Sequence, residues 1–348
     1  MNLAAIACSN GLGHIRRMVS ISVFMLKNGY NGKIDAFMAK DHLYFLKNWP
    51  DCSFFLNHPK VKIFDFNYPK KKQSEELSFK NFNWRDLDLP DLKHYDVVWS
   101  DNILQVLNFR SDAIISGSFF WHEILSNYDD EKKINEFVKS ERKILNKYNP
   151  IVVGNEYFAT TDVSEKTKFV PVGLYRYSLV YREKLNKGIL FSCGLGGEEE
   201  ELYKEALLKI IKKNIVPEDY LFVEPRLIPK KYPSWIKKAD FSSEMFNYCL
   251  AACIRPGMGT VSDALISRNR IFSFANYDSF EMNHNSSVIE KLRVGKRYED
   301  PFDSYMAAID YVKDISAINH QILRTSHLRA DGVFATADQL LNTFKGGG

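Results

Sequence analysis

The first candidate for chemistry is a histidine that follows a glycine turn near the amino terminus. An apolar run from Leu3 to Cys8 stops at this turn, which carries Gly11 and Gly13, and apolar residues recur at helical spacing after His14. The pattern predicts a buried strand, a glycine turn and a helix. Because the positive end of a helix dipole disfavours a protonated imidazole, His14 is expected to be able to accept a proton.

The second candidate is a turn that suits an anion. An apolar run breaks at residues 255–259, and helical spacing resumes at Thr260. Gly257 and Gly259 allow a ligand to approach the backbone, and Thr260 is expected to cap the helix. The free amides at the start of this helix would then face an anion such as a diphosphate. Asp263, expected in the first helical turn, is able to accept hydrogen bonds from sugar hydroxyls.

Two further turns follow predicted strands in the second half of the chain. One carries Glu281 and Asn285 and precedes a helix, and the other, residues 192–197, follows an apolar strand that begins at Gly188. The second of these repeats the arrangement of strand, glycine turn and helix seen at the amino terminus. Loops at neighbouring strand ends form a cleft. The four glutamates at residues 198–201 are expected to begin a helix and to face solvent.

Polar and aromatic residues also follow strands in the first half. Ser100 and Asp101 end one predicted strand, and His122 lies among aromatic residues after the next. Aromatic side chains suit stacking on a pyranose ring, and they suit core packing equally well. Arg17, in the first predicted helix, is expected to contact a phosphate or an acidic sugar. The Asp-x-Asp sequence at residues 86–88 has a form used by metal-dependent sugar transferases, but so short a match predicts no metal site.

Together these stretches resemble the GT-B glycosyltransferases. The segment 255–291 resembles in particular the donor-binding half of the bacterial enzyme that adds N-acetylglucosamine to the lipid-linked peptidoglycan precursor, and residues 11–17 resemble its amino-terminal loop. The same loop is similar to that of nucleotide-sugar hydrolases of the pseudaminic acid pathway. The resemblance implies an α/β protein with the GT-B fold, in which two Rossmann-like domains face each other across a cleft.

The resemblance also implies roles for individual residues. His14 would be the catalytic base, Asp263 would bind the ribose of the donor, and Glu281 would bind the transferred sugar. The remaining donor-binding residues would be Gly194, Gly196, Arg255, Gly257, Met258, Gly259, Thr260 and Asn285, with Ser243 and Glu244 near the nucleobase. Residues on the acceptor side or near a phosphate would be Gly11, Gly13, Arg17, Ser100, Asp101 and His122.

The length of the chain and the positions of a proline and a glycine near its middle predict two domains. The chain has 348 residues, of which 45% are hydrophobic, and this suffices for two ordinary cores. A strand at 151–154 is expected to be the last of the first domain, and residues 169–173, with a proline and a glycine, are expected to be a linker. The predicted boundaries are 1–172 for the acceptor-side domain and 173–329 for the donor domain. Residues 330–348 are predicted to form a helix that returns to the first domain, followed by a disordered tail.

Composition argues against several classes of protein. The chain has no apolar run of membrane-spanning length and no signal pattern, so a cytoplasmic protein is expected, with contact at the inner membrane face through Lys70, Lys71 and Lys72 as an alternative. Five cysteines without a Cys-x-x-Cys spacing argue against disulfides and structural zinc. A net charge of +4 does not indicate nucleic acid. No cofactor is predicted.

The predicted function is transfer of a sugar from a nucleoside diphosphate sugar, with UDP-sugar preferred, to a hydroxyl acceptor in glycan or glycolipid synthesis. By resemblance, the reaction would invert the anomeric centre without a metal ion. Two alternatives stay open: a nucleotide-sugar hydrolase in which His14 activates water, and a non-catalytic protein that binds nucleotide sugars. Aromatic strand ends and the length of the chain favour the transferase, because an acceptor pocket needs extra surface.

Overall fold

The chain divides into two compact units. The first contains residues 1–177 and 331–348, and the second contains residues 178–330. The computed structural model describes residues 1–9, 11–46, 50–68, 70–71, 82–83, 87–126, 132–176, 185–194, 199–276 and 279–346. Every helix within these ranges is too short or too polar to traverse a bilayer.

Strands and helices alternate along most of the first unit. They are β1 (Asn2–Ala7), α1 (Leu12–Lys27), β2 (Lys33–Met38), α2 (Lys40–Leu46), α3 (Pro50–Asn57), β3 (Val61–Asp65), the short strands β4 (Lys70–Lys71) and β5 (Phe82–Asn83), β6 (Val97–Asp101), β7 (Ile114–Ser116), α4 (Trp121–Leu125), α5 (Lys132–Tyr148), β8 (Ile151–Asn155), α6 (Thr161–Glu165) and β9 (Lys168–Val172).

The main sheet of the first unit is parallel and has the order β3-β2-β1-β6-β7-β8-β9 in the described residues. An inner strand of this sheet, β1, is buried from Leu3 to Ala7, as expected of a strand that is covered on both faces. The buried face of α1, which includes Ile15 and Val19, packs in the same core. Ala7 is paired with Asp101, so the ends of β1 and β6 lie side by side.

The linker predicted from the sequence is wrong. Residues 169–173 were expected to be a linker, but Lys168–Val172 forms β9, which pairs with β8 at the edge of the sheet. The carbonyl of Val172 accepts a hydrogen bond from the backbone of Glu156, so the neighbouring Pro171 faces the open edge. An edge strand tolerates a proline there because no ladder hydrogen bond is lost.

The second unit opens with β10 (Gly188–Ser192). It continues with α7 (Glu200–Lys212), β11 (Leu221–Val223), β12 (Ile236–Lys238), α8 (Ser243–Tyr248), β13 (Cys249–Ile254), α9 (Met258–Ile266), β14 (Arg270–Ser273), α10 (Phe280–Lys291), β15 (Gly295–Arg297), α11 (Pro301–Tyr311) and α12 (Ile315–Ser326). The described residues form a parallel sheet in the order β12-β11-β10-β13-β14-β15. Its central strand β13 is buried throughout, and turns 192–194 and 255–257 leave neighbouring strand ends.

The last helix, α13 (Gly332–Gly346), belongs to the first unit. Its start is fixed by a hydrogen bond of 2.8 Å from the backbone N–H of Gly173 to the carboxylate of Asp331. Its aromatic side chains pack edge-on or tilted against the first helix and the loop after it, with Phe334 on Phe24 and Phe344 near Tyr30. The first core is therefore completed by the end of the chain. Residues 347 and 348, part of the predicted tail, lie outside the described residues.

Candidate active site

Two residues singled out in the sequence, His14 and Asp101, are in contact. Since β1 and β6 are neighbours, the turn that leads into α1 passes the carboxylate of Asp101. Nδ1 of His14 lies 2.7 Å from Oδ1 of Asp101. His14 is 9% exposed and Asp101 is fully buried. A carboxylate on Nδ1 places the ring proton there, so Nε2, which has no hydrogen-bond partner in the described part of the chain, is left to accept one.

The turn before His14 depends on glycine. Gly11 has a φ of 85° and caps the start of α1, a conformation that favours glycine over other residues. A methyl group added at Gly11 or Gly13 would meet no atom of the described residues within 4 Å. The backbone therefore faces open space at this turn, where a ligand can approach it closely.

Asp101 is held as a carboxylate by its other neighbours. Arg17 donates from Nε to Oδ2 at 2.6 Å and from Nη2 to Oδ1 at 2.7 Å. The hydroxyl of Ser116 donates to Oδ2 at 2.9 Å and itself accepts from the indole of Trp99. Although burial raises the pKa of the Asp101 carboxyl, the charge and hydrogen bonds of Arg17, together with His14, lower it to about 2. Arg17 was expected to contact a phosphate or an acidic sugar. In the structure it donates to Asp101, and its guanidinium also lies over the ring of Tyr175.

The structure gives the other two acceptor-side residues different surroundings. The hydroxyl of Ser100 is buried and donates to the carbonyl of Ile103, at 3.0 Å. His122 is also fully buried, with Nδ1 3.1 Å from Glu141 and Nε2 2.9 Å from Asp162. Burial lowers the pKa of His122, but the two carboxylates outweigh it and the net shift is upward. His122 therefore joins α4, α5 and α6 through a buried charged cluster, with both ring nitrogens occupied.

The aromatic residues before His122 lie beside His14. The ring centroids of Phe119 and Trp121 are 6.5 and 6.3 Å from that of His14. Both residues are buried, and their rings meet edge to face at 5.3 Å. They form an apolar wall next to the imidazole.

Sequence reasoning did not single out two polar residues at the same end of the first sheet. Nδ1 of His42, in α2, is buried without a hydrogen-bond partner in the described residues, as are both amide atoms of Asn102. Burial lowers the pKa of His42, Asp41 opposes this, and His14 lowers it further. An unpaired buried polar group costs about 1 to 3 kcal/mol, so these two groups are candidates for contact with a polar ligand. The signal in the sequence was the position of His42, four residues after the end of β2, the strand that pairs with β1.

In the second unit, the turn after β13 leads directly into a helix start. Helix α9 begins at Met258, Gly257 is its N-cap, and no side chain caps it. Thr260 was predicted to be the cap; this is wrong, because the N-cap is Gly257, three residues earlier. Residues 257–260 are partly exposed, and a methyl group added at Gly257 or Gly259 would meet nothing within 4 Å in the part of the chain that the structure describes. The amides at the start of α9 therefore have no side-chain cap and adjoin two glycines that a ligand can approach, so they suit an anion.

The structure places the three predicted donor-binding residues after this turn in different ways. Asp263 lies in the second turn of α9, not in the first as predicted, and is 2% exposed. Glu281, in the first turn of α10, is partly exposed. Asn285 is buried and donates from Nδ2 to the carbonyl of Pro256 at 2.8 Å. Asn285 thus fastens α10 to the turn that precedes α9.

The glutamates after β10 do not all face solvent, which corrects the sequence prediction. Glu199 is 3% exposed; one carboxylate oxygen lies 3.4 Å from Nε of Arg255 and the other accepts from the backbone N–H of Asn276 at 3.2 Å. Glu200 pairs with Arg226 and Lys204. Glu198 lies outside the described residues.

The turn after β10 is held by a carboxylate that the sequence did not reveal. Glu224, at the end of β11, accepts from the hydroxyl of Ser192 at 2.8 Å and from the backbone N–H of Gly194 at 2.9 Å. Arg226 bonds both to Glu224 and to the carbonyl of Gly194. Gly194, with a φ of 65°, therefore adopts a left-handed conformation fixed by its neighbours. Gly196 lies outside the described residues.

Ser243 and Glu244 are at the start of α8. The helix is capped by Ser242, whose hydroxyl accepts from the backbone of Met245 at 3.1 Å. Ser243 is partly exposed and Glu244 is exposed.

Among the described residues, no group of three or more His, Cys, Asp or Glu side chains is arranged to hold a metal ion. Asp86, from the Asp-x-Asp sequence, lies outside the described residues.

Comparison with known proteins gives a structural match only. No family model and no curated protein matches the sequence. The glycosyltransferase of kitacinnamycin has a TM-score of 0.64 and 11% identity, with 98% of each chain covered. Arabidopsis thaliana UGT89C1 complexed with quercetin has a TM-score of 0.64 and 11% identity over 99% of each chain. The glycosyltransferase VinC in complex with DTDP has a TM-score of 0.59 and 10% identity over 100% of each chain. The chain thus has the GT-B fold of these glycosyltransferases, and this predicted fold class is confirmed.

Proposed function

We propose that the protein is a glycosyltransferase that moves a sugar from a nucleoside diphosphate sugar, a UDP-sugar by preference, to a hydroxyl group of an acceptor. The observation that carries this proposal is the His14–Asp101 pair, in which a buried carboxylate fixes the imidazole and leaves Nε2 open. Support also comes from the fold, which is shared with glycosyltransferases whose structures contain UDP-L-rhamnose or DTDP.

His14 is the base in this proposal. Nε2 takes the proton of the acceptor hydroxyl as its oxygen attacks the anomeric carbon of the donor sugar, and the bond from that carbon to the diphosphate breaks. Asp101 keeps the other ring proton on Nδ1 and offsets the charge that the imidazole gains. A single direct attack inverts the anomeric centre, so we infer an inverting reaction.

The leaving diphosphate would be stabilised by the second unit. The uncapped amides at Met258 to Thr260 and the guanidinium of Arg255 offset the negative charge that grows on the leaving group. We infer that these groups suffice without a divalent metal ion. Asp263 would bind the ribose and Glu281 the transferred sugar, and Ser243 with Glu244 would lie near the nucleobase.

The acceptor would be a glycan or a lipid-linked sugar. The rings of Phe119 and Trp121 beside His14 suit the apolar face of a pyranose, and His42 and Asn102 supply unpaired polar groups for its hydroxyls. The resemblance of residues 11–17 and 255–291 to the peptidoglycan-precursor enzyme favours a lipid-linked acceptor and peripheral contact with the inner face of the cell membrane.

A panel of UDP- and dTDP-sugars, each incubated with and without candidate glycan and glycolipid acceptors, tests the proposal. We expect the nucleoside diphosphate to be released faster when the right acceptor is present, with the sugar recovered on that acceptor. Rapid release of free sugar that no acceptor changes would indicate a hydrolase instead. Nucleotide-sugar binding without turnover across the panel would indicate a non-catalytic binding protein.

A further inference from the structure

Glu199 links three strand-end loops of the second unit. It is the N-cap residue of α7, after the turn that leaves β10. Its carboxylate lies 3.4 Å from Nε of Arg255, in the turn after β13, and accepts from the backbone N–H of Asn276, in the loop before α10. One buried side chain therefore links the turn that carries Gly194, the turn that carries Arg255 and the loop that precedes α10.

The pairing of Arg255 with Glu199 is electrostatic and leaves hydrogen-bonding capacity unused. Nε of Arg255 is buried without a hydrogen-bond partner, since its geometry towards Glu199 is that of an ion pair only. In the described residues its guanidinium donates no hydrogen bond to any acceptor. The arginine is thus charge-balanced by the protein but still able to donate to an oxyanion.

We propose that Glu199 is a positioning residue that holds Arg255 for the donor diphosphate and, by neutralising it, weakens its hold on the nucleoside diphosphate product. The inference rests on the proposed function. A diphosphate that reaches Arg255 must share the guanidinium with a carboxylate that is 3% exposed and stays in place. The same contact that orients Arg255 therefore lowers product affinity, which favours release after transfer.

Glu199→Gln tests this because glutamine keeps an oxygen for the N–H of Asn276 and removes the charge. Calorimetric titration with UDP and with dTDP is the measurement. Arg255 retains a side-chain exposure of 18% beside the buried Glu199, so water screens part of the charge change. The variant should therefore bind whichever nucleotide the wild type takes about three- to tenfold more tightly. Arg255→Ala should weaken binding, and adding Glu199→Gln to that variant should have no further effect.

Glu201→Gln is the matched control. Glu201 lies two residues further along, its side chain is 76% exposed, and it pairs with Lys204, so its change should leave affinity unaltered. Glu199→Asp serves as a second variant. Aspartate is one methylene group shorter, so its charge lies further from Arg255, and it should tighten nucleotide binding less than Glu199→Gln does.

If the wild type binds nucleotide and the Glu199→Gln variant binds it equally well or more weakly, the inference is wrong. The proposed function would still stand. A tightening that persists in the Arg255→Ala background would also overturn it. If the wild type binds neither nucleotide, the proposed function fails and this inference fails with it.

Discussion

Replacing Asp101 with asparagine removes one charge from the His14 site and preserves the shape of the side chain. Asparagine can present an amide N–H towards Nδ1 of His14, which would hold the imidazole in the wrong tautomer, with its proton on Nε2. The substitution also leaves Arg17, whose side chain is 11% exposed, without its counter-charge. Both turnover and stability should therefore fall.

The pKa of Asp101 sets the magnitude of the stability loss. Its pKa is lowered from 3.8 to about 2, and this shift corresponds to about 2 kcal/mol of stability at neutral pH. Because the folded-state pKa is depressed, this contribution is present above pH 3.8 and is lost as the pH falls through about 2. The uncompensated Arg17 adds to the loss, so we expect about 2 to 4 kcal/mol in total. Turnover should fall about a hundredfold or more.

Urea denaturation and single-turnover transfer, measured on the same Asp101→Asn preparation, check both values. Asp96→Asn is the matched control, since Asp96 directly precedes the same strand but its side chain is 54% exposed near the amino terminus. The control should change the free energy of unfolding by less than about 0.5 kcal/mol and leave turnover unaltered. Normal turnover in folded Asp101→Asn would refute the reasoning that this carboxylate sets the tautomer of His14.

Two further predictions concern residues whose surroundings the structure defines. The first is that the free energy of unfolding falls as the pH rises above 6.5, the usual pKa of a histidine. The pKa of His122 is raised on balance by Glu141 and Asp162, so its stabilising charge, which Glu123 and, through Asp162, Lys166 also face, is fully present below pH 6.5 and is lost as the pH rises through the raised folded-state pKa. Urea denaturation of His122→Gln should show a smaller pH dependence, whereas the exposed control His320→Gln should retain it; equal slopes in all three proteins would contradict the prediction. The second is that Asp263→Asn weakens UDP and UDP-sugar alike by about tenfold, whereas Glu281→Gln weakens only the UDP-sugar. Calorimetry with both ligands checks this, and equal losses for both ligands in Glu281→Gln would remove that residue from sugar binding.

The strands that carry the site were predictable because each is a long, continuous apolar run. The runs that became β1, β10 and β13 have no polar interruption, and a buried parallel strand needs none. The strands β12 and β15 were not predicted, since three residues do not define a period. The stretch that forms β9 resembles a linker in the sequence because Pro171 and Gly173 interrupt it, and only the tertiary fold places it at the edge of a sheet.

The sequence identified several residues of the candidate site, but it did not show which side chains contact one another. His14 and Asp101 are 87 residues apart, and their contact depends on β1 and β6 being neighbours, which no local pattern encodes. The burial of Glu199 within a run of four glutamates depends in the same way on Arg255, from a distant strand end. The start of α9 was misplaced because a glycine N-cap leaves no side-chain signal, unlike a threonine.

The most direct test of the proposed function compares His14→Ala with the wild type for donor turnover and for UDP affinity. If Nε2 of His14 removes the proton from the acceptor, turnover should fall about a hundredfold or more while the dissociation constant of UDP changes less than about twofold. A folded His14→Ala variant that turns over at the wild-type rate would contradict the assignment of His14 as the catalytic base.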